Sequence, residues 1–238
     1  MLKKCLLTII AIALSAISTT VYSMAANPWP EFYSQAPEIL IIDPMAVMAG
    51  SMPEGANMLT IKLTDVALYS GRICPSMAAG YMLTKKAMDA LYPNSIPQRG
   101  QIRVSATAAA TELMEVTSYI TGVRPLYGRG EINACDLVID PSLKPKKYGQ
   151  YVMVFQRKDT GKAVKGVYNK FKLIPEKKIK KIKKISKKIL QGNASPREKE
   201  KNWSILNTMV EKVLMETPEG VIEIIPMEGY QFPESPEK

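Results

Sequence analysis

The side chains able to do chemistry in this chain are few, because its 238 residues include three cysteines and no histidine. The missing histidine excludes the Ser-His-Asp triad, His-paired cysteine catalysis, HExxH zinc sites and bis-histidine metal centres. Carboxylates, lysines, tyrosines or cysteines must therefore carry any activity. Cys74 is the first candidate, because it precedes Pro75 at the start of a predicted helix and follows Arg72 by two residues. The helix dipole and the guanidinium are both expected to favour its thiolate.

Three interpretations of Cys74 stay open at this point. It is a reactive or ligand-binding cysteine, a small buried hydrophobic residue, or one half of a disulfide with Cys135. A disulfide would need the two Cα atoms to lie roughly 4.4 to 6.8 Å apart, which the sequence does not show.

Other polar residues offer weaker candidates. Glu112 and Glu115 are three positions apart and share one face of a predicted helix, so they are either paired carboxylates that hold a cation or a solvated helix face. Arg124, Tyr127 and Arg129 follow that helix in a loop and could receive an anionic ligand, although loop solvation is the commoner role of such residues.

The amino terminus predicts export. Lys3 and Lys4 precede an apolar run from Cys5 to Val21, which is followed by small residues that suit cleavage after Ala25. An uncleaved anchor fits less well, because the run has about 17 residues and a spanning helix needs roughly 20. We therefore expect a mature protein that lies in the periplasm or outside the cell, where disulfides can persist.

The positive charge is concentrated in one segment. Of the net charge of +10, residues Glu176 to Leu190 contribute +7, with eight lysines and one glutamate. Ile179, Ile182, Ile185 and Ile189 form a stripe in this segment, which predicts an isoleucine face packed on the protein with solvated lysines outside. Contact with an anionic membrane is a disfavoured alternative. Binding to nucleic acid is not expected, because no aromatic residues accompany the lysines.

The periodicity of apolar residues, together with the prolines, glycines and capping residues that end helices and strands, predicts most elements. The arm at 26–62 is expected to be extended, with a strand near Ile39 to Ile42. Helices are expected at Asp65 to Ser70, from Pro75 to about Pro93, at Ala109 to Ile120, through the lysine-rich segment and from Ser195 to Met215. Strands are expected at Gln101 to Thr107, Leu137 to Ile139, Gln150 to Gln156, Ala163 to Tyr168 and Val221 to Ile225. The small residues Ala78, Ala79 and Gly80 would allow one helix to approach a neighbour closely.

Four segments in order resemble the FmdE family, which is named after a component of formylmethanofuran dehydrogenase. They are the YSGRICPSMAAGY segment from Tyr69, EVTSYITG from Glu115, Gly128-Arg129-Gly130, and the hairpin YGQYVMVFQRKDTGKAV from Tyr148. The resemblance covers most of Leu63 to Ile225 and implies an α+β domain. Ser70 and Arg72 stand where the family has histidines, and Glu112 and Val123 stand where it has cysteines. The resemblance therefore implies a degenerate metal site with Cys74, Glu112 and Glu115 as ligands and Tyr69 close by.

These observations predict a single α+β domain in which helices cover one side of a mixed sheet. The expected boundaries are a signal peptide at 1–25, the arm at 26–62, the domain at 63–174 and a lysine-rich helical extension at 175–238. A homodimer is expected. The leading functional hypothesis is an exported accessory or binding protein, rather than an enzyme, that holds a metal ion, haem or small ligand near Cys74, Arg72, Tyr69, Arg124 and Arg129. The alternatives are a thiol redox enzyme that uses Cys74, and an inert partner-binding module.

Overall fold

A computed structural model describes residues 29–124 and 136–233. By its internal contacts the chain divides into two units, Met1–Gln35 and Ala36–Lys238. Within the described part of the first unit, a short 3-10 helix spans Glu31–Tyr33. The rings of Trp29 and Tyr33 stack there with centroids 6.1 Å apart.

The second unit begins with a two-stranded sheet, which lies in the segment predicted as an extended arm. Strand β1 (Ile39–Ile42) pairs antiparallel with β2 (Met58–Ile61). The expected strand at 39–42 is confirmed. The intervening helix α1 (Pro44–Met48) was not anticipated, although Asp43 caps it by accepting a hydrogen bond from the Met45 N–H at 3.0 Å.

Five strands form the main sheet, in the order β4-β3-β5-β6-β7. The β3–β4 pair is parallel and the other pairs are antiparallel, so the predicted mixed sheet is confirmed. The strands are β3 (Ile102–Ala106), β4 (Leu137–Ile139), β5 (Gln150–Arg157), β6 (Ala163–Asn169) and β7 (Ile222–Met227). The helices of this unit after α1 are α2 (Leu63–Ser70), α3 (Pro75–Leu91), α4 (Thr111–Thr121), α5 (Lys170–Leu173), α6 (Glu176–Leu190) and α7 (Pro196–Met215).

Helix α3 is the centre of the core. It packs on strands β5, β6 and β7 and on helices α4 and α7. A Cβ atom on Gly80 would lie 3.0 Å from the Cα of Leu113 in α4, so the backbones of the two helices meet there. The hydroxyls of Thr84 and Thr117 share a buried hydrogen bond of 2.7 Å across the same interface. The predicted close approach at the small residues is confirmed.

The other face of the sheet is crossed by the C-terminal segment. Ser105 points away from α3, because its strand neighbours alternate between the two faces. Its hydroxyl shares a hydrogen bond of 2.6 Å with the Tyr230 hydroxyl, and the Gln156 side-chain amide donates to the Tyr230 carbonyl at 2.9 Å. The guanidinium of Arg103 lies over the Phe232 ring, 4.5 Å from its centroid.

A partly buried ion pair ties the first sheet to the end of α4. Arg99 donates to Asp43 Oδ2 at 2.9 Å, and its other nitrogens donate to the carbonyls of Tyr119 and Ile120 at 3.1 and 3.0 Å. Those carbonyls belong to the last turn of a helix, where backbone acceptors lack intrahelical partners and favour a cation. Arg99 therefore neutralises Asp43 and caps α4 in one arrangement.

The C-terminal extension is helical up to β7, and its helices pack as predicted. Ile179, Ile182 and Ile185 are buried, and Ile189 is half-buried. Helix α7 starts at the expected capping box, in which Ser195 and Glu198 bond each other's backbone, and it packs on α3. Among the described residues, no helix is long and apolar enough to cross a membrane.

Candidate functional site

Cys74 lies at the N-cap of α3, directly before Pro75 at the first helical position. Burial raises the pKa of its thiol, and this effect outweighs the backbone N–H groups of Met77 and Ser76, which lower the pKa. The charge on Glu112 also raises the pKa, and Arg72 has a smaller opposite effect. The helix start and Arg72 do favour the thiolate, as predicted, but burial disfavours the charged form more strongly and the net pKa is raised.

A fully buried tyrosine stands beside this thiol. Tyr168 belongs to β6, and the register of the hairpin places it opposite Tyr151 in β5, with stacked rings whose centroids are 5.7 Å apart. Its hydroxyl makes no hydrogen bond of normal geometry with any described residue. Burial, followed by the charge on Cys74, raises the pKa of Tyr168, whereas the Ser76 side chain acts to lower it. Tyr168 is thus a protonated, buried donor whose hydrogen-bonding neighbour, the Ser76 side chain, lies outside normal hydrogen-bond geometry, in a position where such incompletely paired groups are rare.

A lysine and a carboxylate complete the cluster around Cys74. Burial and nearby Lys183 lower the pKa of half-buried Lys170, while Cys74 and Glu112 act in the opposite direction. Glu112 also contributes to the raised pKa values of Tyr151 and Tyr168. Cys74, Ser76, Glu112, Tyr151, Tyr168 and Lys170 are linked by these electrostatic interactions, and we call the group the thiol cleft.

Gly149 packs closely against Phe171, the neighbour of Lys170 in α5. Lys170 and Phe171 begin α5, and the Phe171 ring packs on the backbone of Gly149 and on the ring of Tyr148, 5.6 Å between centroids. A Cβ atom at Gly149 would lie 2.3 Å from Phe171 Cε2, and the φ angle of Gly149 is +84°. Only glycine combines this conformation with this contact.

The other predicted site residues occupy less central positions. Arg72 forms an ion pair with Glu115 at 3.4 Å, so Glu115 has a cation as its partner. Tyr69 is 61% exposed and packs on Tyr119 with ring centroids 5.0 Å apart. Arg124 is exposed, and its carbonyl accepts a hydrogen bond from the Leu137 N–H at 3.3 Å. Arg129, Tyr127 and Cys135 lie outside the described residues, so the disulfide and their ligand contacts stay predictions.

The donor set of the cleft differs from that of a zinc-type centre. Within 29–124 and 136–233, no group of three or more cysteine, aspartate or glutamate side chains is placed to hold a metal. The cleft offers one thiol with a raised pKa and has Lys170 next to it, whereas zinc prefers several thiolates or imidazoles. These residues therefore do not fit zinc. A metal on Cys74, Glu112 and Glu115 stays a prediction.

The raised thiol pKa gives a direct chemical test. Alkylation of Cys74 by iodoacetamide, followed by peptide mass mapping, is expected to titrate above the value of about 8.5 for a free cysteine. Glu112→Gln should move the profile to lower pH and Arg72→Met to higher pH. Because folding raises this pKa, its contribution to stability is complete below the unfolded-state value and is lost as the pH rises through the folded-state value. A profile for the native protein below that of free cysteine would contradict the burial argument.

Comparison with known proteins decides the family. The family model described as FmdE, Molybdenum formylmethanofuran dehydrogenase operon, matches residues 69–223. The chain belongs to the FmdE family. The matched region of this FmdE domain begins just before Cys74 and ends in β7, so it contains the whole thiol cleft. No curated protein and no solved structure matches the chain.

Sequence reasoning found part of this FmdE-family cleft. It identified Cys74 and Glu112, and the charge on Glu112 does raise the pKa of the Cys74 thiol. It missed Ser76, Tyr151, Tyr168 and Lys170. Counting the antiparallel register outward from the hairpin turn would have placed Tyr151 near Tyr168, but no sequence signal shows that this pair lies against the start of α3.

Proposed function

We propose that this chain is an exported FmdE-family accessory protein whose thiol cleft binds a small ligand that carries acceptor oxygens, such as a carboxylate or another oxyanion. One observation carries the proposal: the buried Tyr168 hydroxyl makes no hydrogen bond of normal geometry with a described residue, and the Ser76 side chain is its one hydrogen-bonding neighbour there. A buried unsatisfied hydroxyl costs roughly 1–3 kcal/mol, so its retention favours a role in holding something else.

The neighbouring groups support a ligand rich in acceptors. The pKa values of Tyr168 and Cys74 are raised, so both groups are protonated at neutral pH and can donate hydrogen bonds. Lys170 contributes an ammonium group, and Ser76 lies in the first turn of a long helix, where backbone N–H groups favour anions. Glu112 is an acceptor in the same group and would receive a hydroxyl or amino group of the ligand.

A redox role for the thiol has less support. A nucleophilic or exchanging cysteine needs its thiolate, and burial of Cys74 disfavours that form. Membership of the FmdE family and the residues of the thiol cleft together favour an accessory role beside a separate catalytic protein. Export and a homodimer are parts of the proposal that rest on the sequence alone.

The test uses the protein isolated from its export compartment. Native and denaturing mass spectrometry of the wild type should differ by the mass of a small bound molecule, and the intact mass also tests cleavage after Ala25. Metal analysis and an absorption spectrum of the same sample identify a metal or haem. We expect Tyr168→Phe to reduce ligand occupancy at least tenfold while the protein stays folded, because the substitution removes only the unpartnered hydroxyl.

Tyr92→Phe is the matched control. The Tyr92 hydroxyl is also buried and without a partner among the described residues, but its ring packs under Arg157, 4.1 Å from the guanidinium carbon. Its electrostatic neighbours, Arg157 and Asp159, are not members of the thiol cleft. Equal occupancy in the two variants, or wild-type protein that carries no bound molecule, would refute the proposed function.

A further inference from the structure

A groove runs along one side of the two C-terminal helices and is formed by two adjoining cavities. One has a volume of about 550 Å³ and the other about 360 Å³. Lys181, Ile185 and Lys201 line both cavities, so the two lie side by side. We call this feature the hairpin groove. The larger cavity falls within the ~300–1,000 Å³ that is typical of small-molecule sites.

The two ends of the hairpin groove differ in chemistry. The larger cavity is lined by Leu173, Ile174, Ile182, Ile205 and Met209, which belong to one apolar cluster, and also by Lys178, Lys181, Lys201 and Lys212. The smaller cavity is mostly cationic. Its charged lining residues are Lys181, Lys184, Lys188, Arg197, Lys201 and Glu198.

The single carboxylate at the cationic end is already engaged. Glu198 binds Lys188 at 2.5 Å, and its other oxygen accepts the backbone N–H of Ser195 at 3.0 Å in the capping box. In the described part of the chain, Lys181, Lys184, Arg197 and Lys201 form no ion pair. Four cations therefore surround one end of the hairpin groove without a neutralising carboxylate.

We propose that the hairpin groove binds a long-chain anionic amphiphile, with its chain on Ile182, Ile205 and Met209 and its headgroup between Lys181 and Lys201. A small anion would leave the apolar end exposed to water, and a neutral lipid would leave the cations uncompensated. Insertion of the helix into a bilayer is a poorer fit. The isoleucine stripe of α6 is buried against the protein, so its apolar face is not free to enter lipid. This site is separate from the thiol cleft.

Titration calorimetry of the folded chain with sodium dodecanoate, below its micelle concentration, tests the proposal. Two related probes separate the ligand's parts: butanoate has the carboxylate without the chain, and dodecyl maltoside has the chain without the charge. Lysophosphatidylglycerol distinguishes a phospholipid source from a fatty acid. We expect dodecanoate or the lysophospholipid to bind at least tenfold more tightly than butanoate and dodecyl maltoside.

Paired variants locate the site. Lys181→Gln with Lys201→Gln should weaken binding of the anionic amphiphile at least tenfold, and both side chains are exposed, so the fold should be retained. Lys144→Gln with Lys146→Gln makes the same change in net charge in an exposed loop and should leave binding unchanged. Equal loss in both double variants, equal binding of dodecyl maltoside, or no binding of either anionic amphiphile would overturn the proposal.

Discussion

Replacing Arg99 by methionine is expected to lower the free energy of unfolding by about 2 kcal/mol, because removing one partner of a partly buried ion pair leaves the other charge poorly compensated. The side chains of Arg99 and Asp43 are only 20% and 14% exposed. The variant would also leave the carbonyls of Tyr119 and Ile120 without the donor that binds them. Methionine keeps most of the aliphatic volume of arginine. The loss of stability is therefore due to removal of the guanidinium and not to a cavity.

Urea denaturation at pH 7, followed by circular dichroism, measures the Arg99→Met effect. Arg197→Met is the matched control, because Arg197 is exposed and makes no ion pair with a described residue, and it should change stability by less than about 0.5 kcal/mol. Adding Asp43→Asn to Arg99→Met should recover part of the loss, since the amide can still cap α1 and carries no buried charge. A double variant less stable than Arg99→Met alone would contradict the ion-pair explanation.

Helix and turn boundaries could be predicted from the sequence wherever nearby residues determine them. Pro75, the capping box at Ser195 and the turn at Asp159 to Gly161 each specify a boundary through their own backbone chemistry. The short helices α1 and α5 were not anticipated. Each spans about one helical turn. Such short helices form because of the residues that pack around them, and they are too short to show a hydrophobic period in the sequence.

The site was harder to predict because its properties are tertiary. The sequence places Cys74 at a helix start, which lowers a thiol pKa, but it does not show that the thiol is buried and that burial dominates. Tyr168 and Lys170 come from the far end of a hairpin and meet α3 only after the sheet has formed. Their role therefore depends on packing between segments almost a hundred residues apart in the chain.

Ser70 and Arg72, which by the sequence resemblance stand at histidine positions of the family, both form contacts within the protein. Arg72 occupies one of those positions and pairs with Glu115 instead of presenting a metal ligand to the cleft. Ser70 occupies the other, and its hydroxyl bonds backbone carbonyls of Val66 and Arg72 at 2.8 and 2.6 Å. Both replacements use their polar groups within the protein, whereas the Tyr168 hydroxyl is the group that we propose binds a ligand.

Gly149→Ala is expected to cost about 3 kcal/mol and to weaken ligand binding in the thiol cleft. The left-handed backbone conformation costs an alanine roughly 1–2 kcal/mol, and overlap of its Cβ with the Phe171 ring adds a penalty of about 1–3 kcal/mol. Phe171 must move to relieve this contact, and Lys170 beside it in α5 would move as well. The same native mass spectrometry used for Tyr168→Phe, together with urea denaturation, measures both effects.

Gly161→Ala separates the two contributions to the Gly149→Ala effect. Gly161 has a similar φ of +70°, but no atom lies within 4 Å of the position that a Cβ would take. It should therefore show the conformational cost alone, roughly 1–2 kcal/mol, with normal ligand occupancy. If the two variants lost equal stability, the contact with Phe171 would not constrain Gly149. If Gly149→Ala kept full occupancy despite its lower stability, the position of Lys170 would not matter for binding, and the cleft would depend on Cys74 and Tyr168 instead.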